Sequence, residues 1–318
     1  MRILLVKTSS LGDVIHNLPV VSDLVRRFPG VVIDWVVEAP FADIPMLHPA
    51  VHAALPIALR RWRKQVLART TWNEIGAARD NLRRRRYDYV LDTQGLLKSA
   101  LIACTARGPR LGYAGDSVRE PLASRMYHQR FSVSRQMHAV DRNRALAANA
   151  LGYPLDDLPL DYGVQVAPLA AAWLPAGPYA VLLTATSRDD KLWPEADWLS
   201  LGQQLAQVGL RCVLPAGAPG ERARAERIAR SLPDAVVAPS MTIRDLASLL
   251  AGARVAIGVD TGLTHLAAAV GTPVVALYTA TDPGLTGVLG PRFHRNLGGK
   301  GQTPGVAAVL QAVTEAMY

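Results

Sequence analysis

The segment "KTSSLGDVIH" (residues 7–16) sets a carboxylate, Asp13, on a serine- and glycine-bearing turn directly behind the apolar run "ILLV" and ahead of a helical stretch. A carboxylate placed there has two uses. It can cap the helix by accepting backbone N–H groups, or it can take a proton from an attacking hydroxyl as a general base. Three further segments carry chemistry at equivalent places. "GVDTGLTHLAAAVGTPVVALY" (258–278) runs from an apolar strand through Asp260, Thr261 and Gly262 into a helix bearing His265. Helix-start N–H groups, with glycine admitting close approach and threonine hydroxyls alongside, suit a diphosphate; an ordinary Asp/Thr cap uses the same residue types. "TATSRDDKLWPE" (184–195) joins the hydroxyls of Thr186 and Ser187 to the cations Arg188 and Lys191. Lys191 suits a leaving phosphate, unless Asp189 and Asp190 neutralise both cations within a surface turn. "LPAGAPGERARAE" (214–226) puts Glu221 in the first turn of a helix. There it can bind ribose hydroxyls, by analogy with dinucleotide folds, or simply complement the helix dipole.

Such loops need strands behind them and helices ahead. "RILLVK", "VVIDWVVE", "YDYVLDTQG" and "RLGYAG" read as buried strands, separated by helical stretches such as "LPVVSDLVRRFPG" and "TWNEIGAARDNLRRRR". Residues 154–178 are rich in Pro, Ala and Leu without periodicity, as a linker is. The alternation then restarts with the strands "YAVLLTA", "RCVLPAG", "AVVAPS", "VAIGVD" and "PVVALYT" and helices between them. The predicted architecture is α/β, two Rossmann-like α/β/α domains over 1–160 and 161–318, with the last helix able to pack back on the first domain. Ligands of open parallel sheets sit at the carboxyl ends of strands, which makes the crevice between the halves the default site.

At 318 residues, 50% of them hydrophobic and 19% charged, the chain can bury a large core. No apolar run reaches the roughly 18 residues of a membrane span, and the first residues form a strand pattern, not a signal peptide; this places the protein inside the cell. Cys104 and Cys212 lack metal-binding spacing and read as reduced core thiols, and the seven His make no metal pair. GxGxxG and GxxxxGK[ST] are missing, so hydride transfer and P-loop phosphoryl transfer lack their usual parts; GxSxG, HExxH and EF-hand spacings are missing too.

The net charge of +9 is uneven. Residues 1–159 hold 23 Lys+Arg against 14 Asp+Glu, and residues 160–318 hold 12 against 12. "RRWRK" (60–64) and "RRRR" (83–86) carry much of the excess. A polyanionic partner is implied, although a solvated helix end also explains "RRRR". A nucleic-acid binder would use such a half, but 6% aromatic residues and no RNP or helix-turn-helix signature argue against it.

"VKTSSLGDVIHNLP", "TSRDDKLWPE" and "DTGLTHLAAAVGTPVVALY", in this order, resemble the lipopolysaccharide heptosyltransferases of glycosyltransferase family 9 over nearly the whole chain. The resemblance implies a GT-B fold, two Rossmann-like domains facing across a cleft, the first holding the acceptor and the second the ADP-sugar. It implies an inverting glycosyltransferase of lipopolysaccharide inner-core synthesis, moving L-glycero-D-manno-heptose from ADP-heptose to the Kdo of Kdo-lipid A at the cytoplasmic face of the inner membrane. In the family the aspartate of the "SSLGD" loop is the proposed base; its match is Asp13. By the same resemblance Thr186, Ser187, Lys191 and the helix start at Thr261 and Gly262 contact the phosphates, Glu221 the ribose, Met241 the adenine and Asp260 the heptose hydroxyls. His265 either touches phosphate or packs in its helix.

The departing ADP needs its charge matched, not a proton, so no metal and no cofactor is expected. Arg60, Arg61, Arg63, Lys64, Lys98 and Arg119 are candidates to bind Kdo carboxylates and lipid A phosphates, with Trp62 at the lipid interface. An anionic leaflet attracts this half, making the protein peripheral to the membrane; a monomer is compatible with all of this. An enzyme adding the second heptose, or another sugar-nucleotide enzyme of the fold such as an epimerase, differs in acceptor or donor.

Overall fold

The apolar runs "RILLV" and "VAIGV" form central strands of two parallel sheets, buried as strands covered by helices on both faces must be. The computed structural model describes residues 1–317 and divides into two compact units between Val164 and Gln165. In the first unit the order is β1 (Arg2–Val6), α1 (Leu11–Ile15), α2 (Leu18–Arg27), β2 (Val32–Glu38), β3 (Val51–Ile57), α3 (Leu59–Lys64), α4 (Arg69–Arg83) and β4 (Tyr89–Asp92). There follow α5 (Leu97–Thr105), β5 (Arg110–Tyr113), α6 (Pro121–Ser124), β6 (Gln129–Phe131) and α7 (Ala139–Leu151). The second unit runs β7 (Tyr179–Leu183), α8 (Glu195–Gln207), β8 (Arg211–Leu214), α9 (Pro219–Arg230), β9 (Val236–Val237) and α10 (Ile243–Ala251). It ends with β10 (Val255–Val259), α11 (Gly262–Ala269), β11 (Val274–Tyr278), α12 (Pro283–Thr286), β12 (His294–Gly298) and α13 (Val306–Met317).

The strand orders are β3-β2-β1-β4-β5-β6 and β12-β11-β10-β7-β8-β9. Counted from its own first strand, each unit reads 3-2-1-4-5-6, the doubly wound Rossmann-like order expected. Its topological switch point lies between the first and fourth strands, β1 and β4 in one unit and β7 and β10 in the other.

In the first unit Leu4, Val6, Val36, Val90 and Ile102 meet in one cluster. In the second, Trp193 and Trp198 pack edge to face, centroids 4.9 Å apart, beside Leu182, Ile257 and Leu277. Helix α13 joins this second core through Val309, Ala312 and Val313. Gly258 on β10 shows how closely its neighbours approach. A Cβ there would stand 2.3 Å from Thr264 Oγ1, so strand and helix meet only over glycine.

The Pro-rich segment from 153 to 178 contains no helix or strand, and its first part is held by ion pairs on the first unit. Arg144 forks onto buried Asp23 at 2.7 and 2.9 Å and also donates to the carbonyls of Leu158 and Pro159. Arg26 reaches Asp161 at 2.7 Å, and Arg27 pairs with Asp157.

The strands not legible from apolar runs are β3, β6 and β12, all at sheet edges. "VHAALPI" carries Pro56, tolerated at an edge, and "QRF" and "HRNLG" have one open side and no buried position. One thiol also departs from expectation. Cys212 is buried, its pKa pushed up to about 12 by burial, whereas Cys104 is exposed on α5.

Candidate functional site

Asp13 stands at the third position of α1, just past the carboxyl end of β1. Its Oδ2 accepts the Ser10 backbone N–H at 2.7 Å and the Ser10 hydroxyl at 2.9 Å. The N-cap is therefore Ser10, and Asp13 is its partner from within the first turn. Both bonds fall on one oxygen, and the side chain is partly exposed.

Behind this turn, residues that the sequence reading passed over fix its shape. Gln94, after β4, accepts from Thr8 N and Oγ1 at 2.6 Å each and donates to Ser9 O at 2.8 Å, a side-chain clamp between the two switch-point loops. Asp92, wholly buried, accepts Gln94 N, Gly95 N and the Tyr127 hydroxyl; burial nevertheless lifts its carboxyl above the usual range. Lys7 is 8% exposed and donates to Thr93 O at 2.9 Å and Asn143 Oδ1 at 3.3 Å. Burial depresses its pKa, opposed by the charges of Asp13 and Asp92. A lysine directly following an apolar strand was the available signal, since such positions face the ligand edge.

Of the basic candidates, Arg60, Arg63 and Lys98 line one cavity of about 390 Å³ with Trp62, Trp72 and Thr71. Lys98 also reaches Ser9 Oγ at 3.1 Å, which brings a cation to the Asp13 turn. Arg61 is turned away, forked onto Glu74 at 2.9 and 2.8 Å; Trp62 Nε1 donates to the same carboxylate at 2.7 Å. The two donors hold the Glu74 carboxyl below its ordinary pKa. Trp62 is partly buried against the first unit's core and lines this cavity, whereas the more exposed indole is Trp72. Lys64 ends α3, exposed, and Arg119 is exposed in the loop after β5.

"RRRR" divides. Arg85 serves buried Asp34 at 3.1 Å, together with Arg2 at 2.9 Å, His52 at 2.8 Å and the Tyr87 hydroxyl at 3.1 Å. Burial raises the Asp34 carboxyl, but these partners outweigh it and hold the pKa below the ordinary value; the Tyr87 hydroxyl is pushed up to about 12. Arg86 lies ahead of β4, at the amino ends of the strands, where it lines an open groove with Arg107 and His128.

In the second unit the candidates gather at the carboxyl ends of β7, β8, β9 and β10. Thr186 Oγ1 donates to Asp260 O at 2.9 Å, tying the loop after β7 to the loop after β10. Lys191 Nζ lies 2.7 Å from Asp260 Oδ2, which also accepts the Thr281 hydroxyl at 2.6 Å. Burial pushes the Asp260 carboxyl upward; Lys191 and Thr281 overcome this and hold it below the usual range. Neutralisation within the turn applies only to Arg188, which pairs with Asp190. Ser187 is exposed in the same loop.

Thr261 caps α11 with extended backbone, and Gly262 is its first residue, so helix-start N–H groups without intrahelical partners lie beside Lys191's partner. His265 is buried on α11, close enough for its charge to help lower Asp260. Glu221 accepts Gly217 N at 3.0 Å and Ala218 N at 3.1 Å, both through Oε2. Met241 is partly buried just before α10, beyond the carboxyl end of β9, the neighbour of β8. Among the described residues no group of three or more His, Cys, Asp or Glu is placed to hold a metal ion.

The model of glycosyltransferase family 9 (heptosyltransferase) matches residues 75–309. Lipopolysaccharide heptosyltransferase 1 of Pseudomonas aeruginosa is 47% identical over 294 residues, covering 91% of this chain and 82% of that protein. The solved structure of E. coli heptosyltransferase WaaC with ADP superposes with a TM-score of 0.91 at 41% identity, covering 99% of this chain and 100% of that one. WaaC with ADP-2-deoxy-2-fluoro heptose gives 0.88 at the same identity, over 99% of both chains.

Proposed function

The chain belongs to glycosyltransferase family 9, the heptosyltransferases, and from that membership we propose that it transfers L-glycero-D-manno-heptose from ADP-heptose to the Kdo of Kdo-lipid A, with inversion. The observation that carries this reading is the meeting of Thr186, Lys191, Asp260, Thr261 and Gly262 at the β7/β10 switch point, where one cation, two hydroxyls and a helix start suit a diphosphate.

In this reading the second unit binds the donor. Lys191 exchanges its contact with Asp260 for the diphosphate, and Asp260, released, turns to the heptose hydroxyls. Ser187 and the N–H groups at Thr261 and Gly262 share the phosphate charge that grows as the glycosidic bond breaks. Glu221 keeps its cap bonds through one oxygen and offers the other to the ribose, while Met241 lies against the adenine and His265 supports the Asp260 loop. The first unit binds the acceptor: Arg60, Arg63, Lys64, Lys98 and Arg119 bind its carboxylates and phosphates, and Arg61 braces α3 through Glu74. Asp13 takes the proton of the attacking hydroxyl as an oxocarbenium-like centre is approached from the face opposite ADP. The acceptor being a membrane lipid, the enzyme works as a peripheral protein at the cytoplasmic face of the inner membrane.

The test is ADP release by the purified protein with ADP-heptose and either Kdo-lipid A, heptosylated acceptor or no acceptor. Release that requires the heptose-free acceptor, with a product heavier by one heptose, is expected. Turnover only with heptosylated acceptor would assign the second transfer instead, and no turnover with either would overturn the donor assignment.

A further inference from the structure

We propose that the elbow between α3 and α4, together with the exposed faces of α5 and α6, docks the protein on an anionic phospholipid bilayer. Six of the ten large apolar side chains exposed among the described residues lie between positions 66 and 122: Val66, Leu67, Trp72, Leu97, Leu101 and Leu122. Scattered exposed apolar residues are ordinary, but this concentration is not. Leu67 is 97% exposed and Trp72 is 62% exposed. The elements that carry them are neighbours, α4 against α5 and α5 against α6. Val66 and Trp72 line one cavity with Lys98 of α5, so the elbow is continuous with that helix.

Part of the elbow's hydrogen bonding is internal. Gln65 N donates to the carbonyls of Arg61 and Trp62, Ala68 N to Gln65 O and Thr71 N to Ala68 O, at 3.0–3.1 Å. Trp72 Nε1 donates to Val66 O at 2.9 Å. The indole thus has its polar edge occupied and presents apolar ring, and it need not give up a water bond on entry into a headgroup boundary, where the polar groups of the tip can still meet water. Around the apolar tip stand Arg60, Arg63, Lys64 and Arg69, all exposed, while the carboxylate at the elbow's base, Glu74, is engaged by Arg61. Basic side chains around the apolar tip complement anionic lipid headgroups, the exposed Glu120 between Leu97 and Leu122 being held by Leu97 N at 2.7 Å, and it is this charge match at the tip that selects a bilayer over a protein partner.

This inference deepens the reading of the protein as a peripheral membrane enzyme, and its test separates the two. The full chain is mixed with vesicles of POPC alone or of POPC and POPG at roughly 7:3, and binding is followed by sedimentation and by tryptophan quenching with brominated lipid. Anionic vesicles should bind at least about tenfold more tightly than neutral ones, with quenching largely lost in Trp72→Phe. Leu67→Ser combined with Leu101→Ser should weaken binding about tenfold, while the thermal midpoint and turnover on a water-soluble, deacylated Kdo acceptor stay at wild-type values. Unchanged vesicle binding by the double variant, indifference to POPG, or turnover on soluble acceptor without any vesicle binding would each overturn the proposal, the last also if a protein partner captured the elbow instead. Vesicle binding that needs Leu67 and Leu101, without transfer to any acceptor, would uphold the docking surface and defeat the enzymatic reading.

Discussion

Asp13 holds two positions at once, the third residue of a short helix and a carboxylate on the turn that Lys98 reaches through Ser9 Oγ. The two roles come apart on substitution. In Asp13→Asn the amide oxygen can still accept from Ser10, so the turn should persist, but the carboxylate proposed as the base is gone. We expect kcat to fall by about 10²- to 10⁴-fold, with ADP-heptose KM within a few fold and an unchanged melting temperature; near-normal turnover would remove Asp13 from the role of base. Lys191 makes the companion case for the donor. It is paired with Asp260 at 17% and 16% side-chain exposure, a sheltered bond that in the proposed reading gives way to the donor's phosphate. A charge-assisted bond is worth about 1.5–3 kcal/mol, so Lys191→Ala should cost roughly 10- to 100-fold in kcat/KM for ADP-heptose and leave acceptor KM nearly unchanged. A matching loss for both substrates would point to a collapsed fold.

Among the elements, the buried Asp34 of β2 is the clearest structural device. It gathers Arg2 of β1, His52 of β3 and Arg85 from the end of α4, so one carboxylate ties three strands and a helix end together. Its folded pKa lies below the unfolded one, so its contribution is present above about pH 4 and is lost as pH falls through the folded value. Asp34→Asn should lower stability by about 2 kcal/mol at neutral pH and flatten the decline of melting temperature on acidification, as scanning calorimetry between neutral and acid pH would read. This also explains why "RRRR" was ambiguous in sequence. Arg85 and Arg86 are adjacent, yet one serves a buried carboxylate and the other an open groove, and charge alone carries no record of which. Edge strands were hidden for a related reason: β6 and β12 have one unpaired side, so burial does not select an apolar run.

Across the whole molecule, the excess positive charge belongs to the half that carries Asp13, while the half that carries Lys191 is balanced. Raising salt from about 0.05 to about 0.5 M shortens the Debye length from roughly 14 to roughly 4 Å. Exposed Arg60, Arg63 and Lys98 should feel this strongly and the sheltered Lys191 little. The KM for a water-soluble Kdo acceptor should therefore rise several fold across that range while the KM for ADP-heptose changes less; equal rises would break the assignment of charge to the acceptor.

By itself the amino-acid sequence determined the alternation of apolar runs and helical stretches, the two-part organisation, and the loops bearing Asp13, Thr186, Lys191, Glu221 and Asp260, because strand burial and turn chemistry are local and leave local patterns. Partnership is not local. That Lys191 answers Asp260 rather than Asp189 or Asp190, and that Gln94 clamps the Thr8–Ser9 turn, depended on chain segments up to 86 residues apart meeting at a switch point. The same holds for the two tryptophans ten residues apart: helix α3 turned Trp62 onto the core and Glu74 fixed it, leaving Trp72 outside. Only the tertiary structure decided these, since which side of a helix faces the sheet follows from what the sheet has already buried.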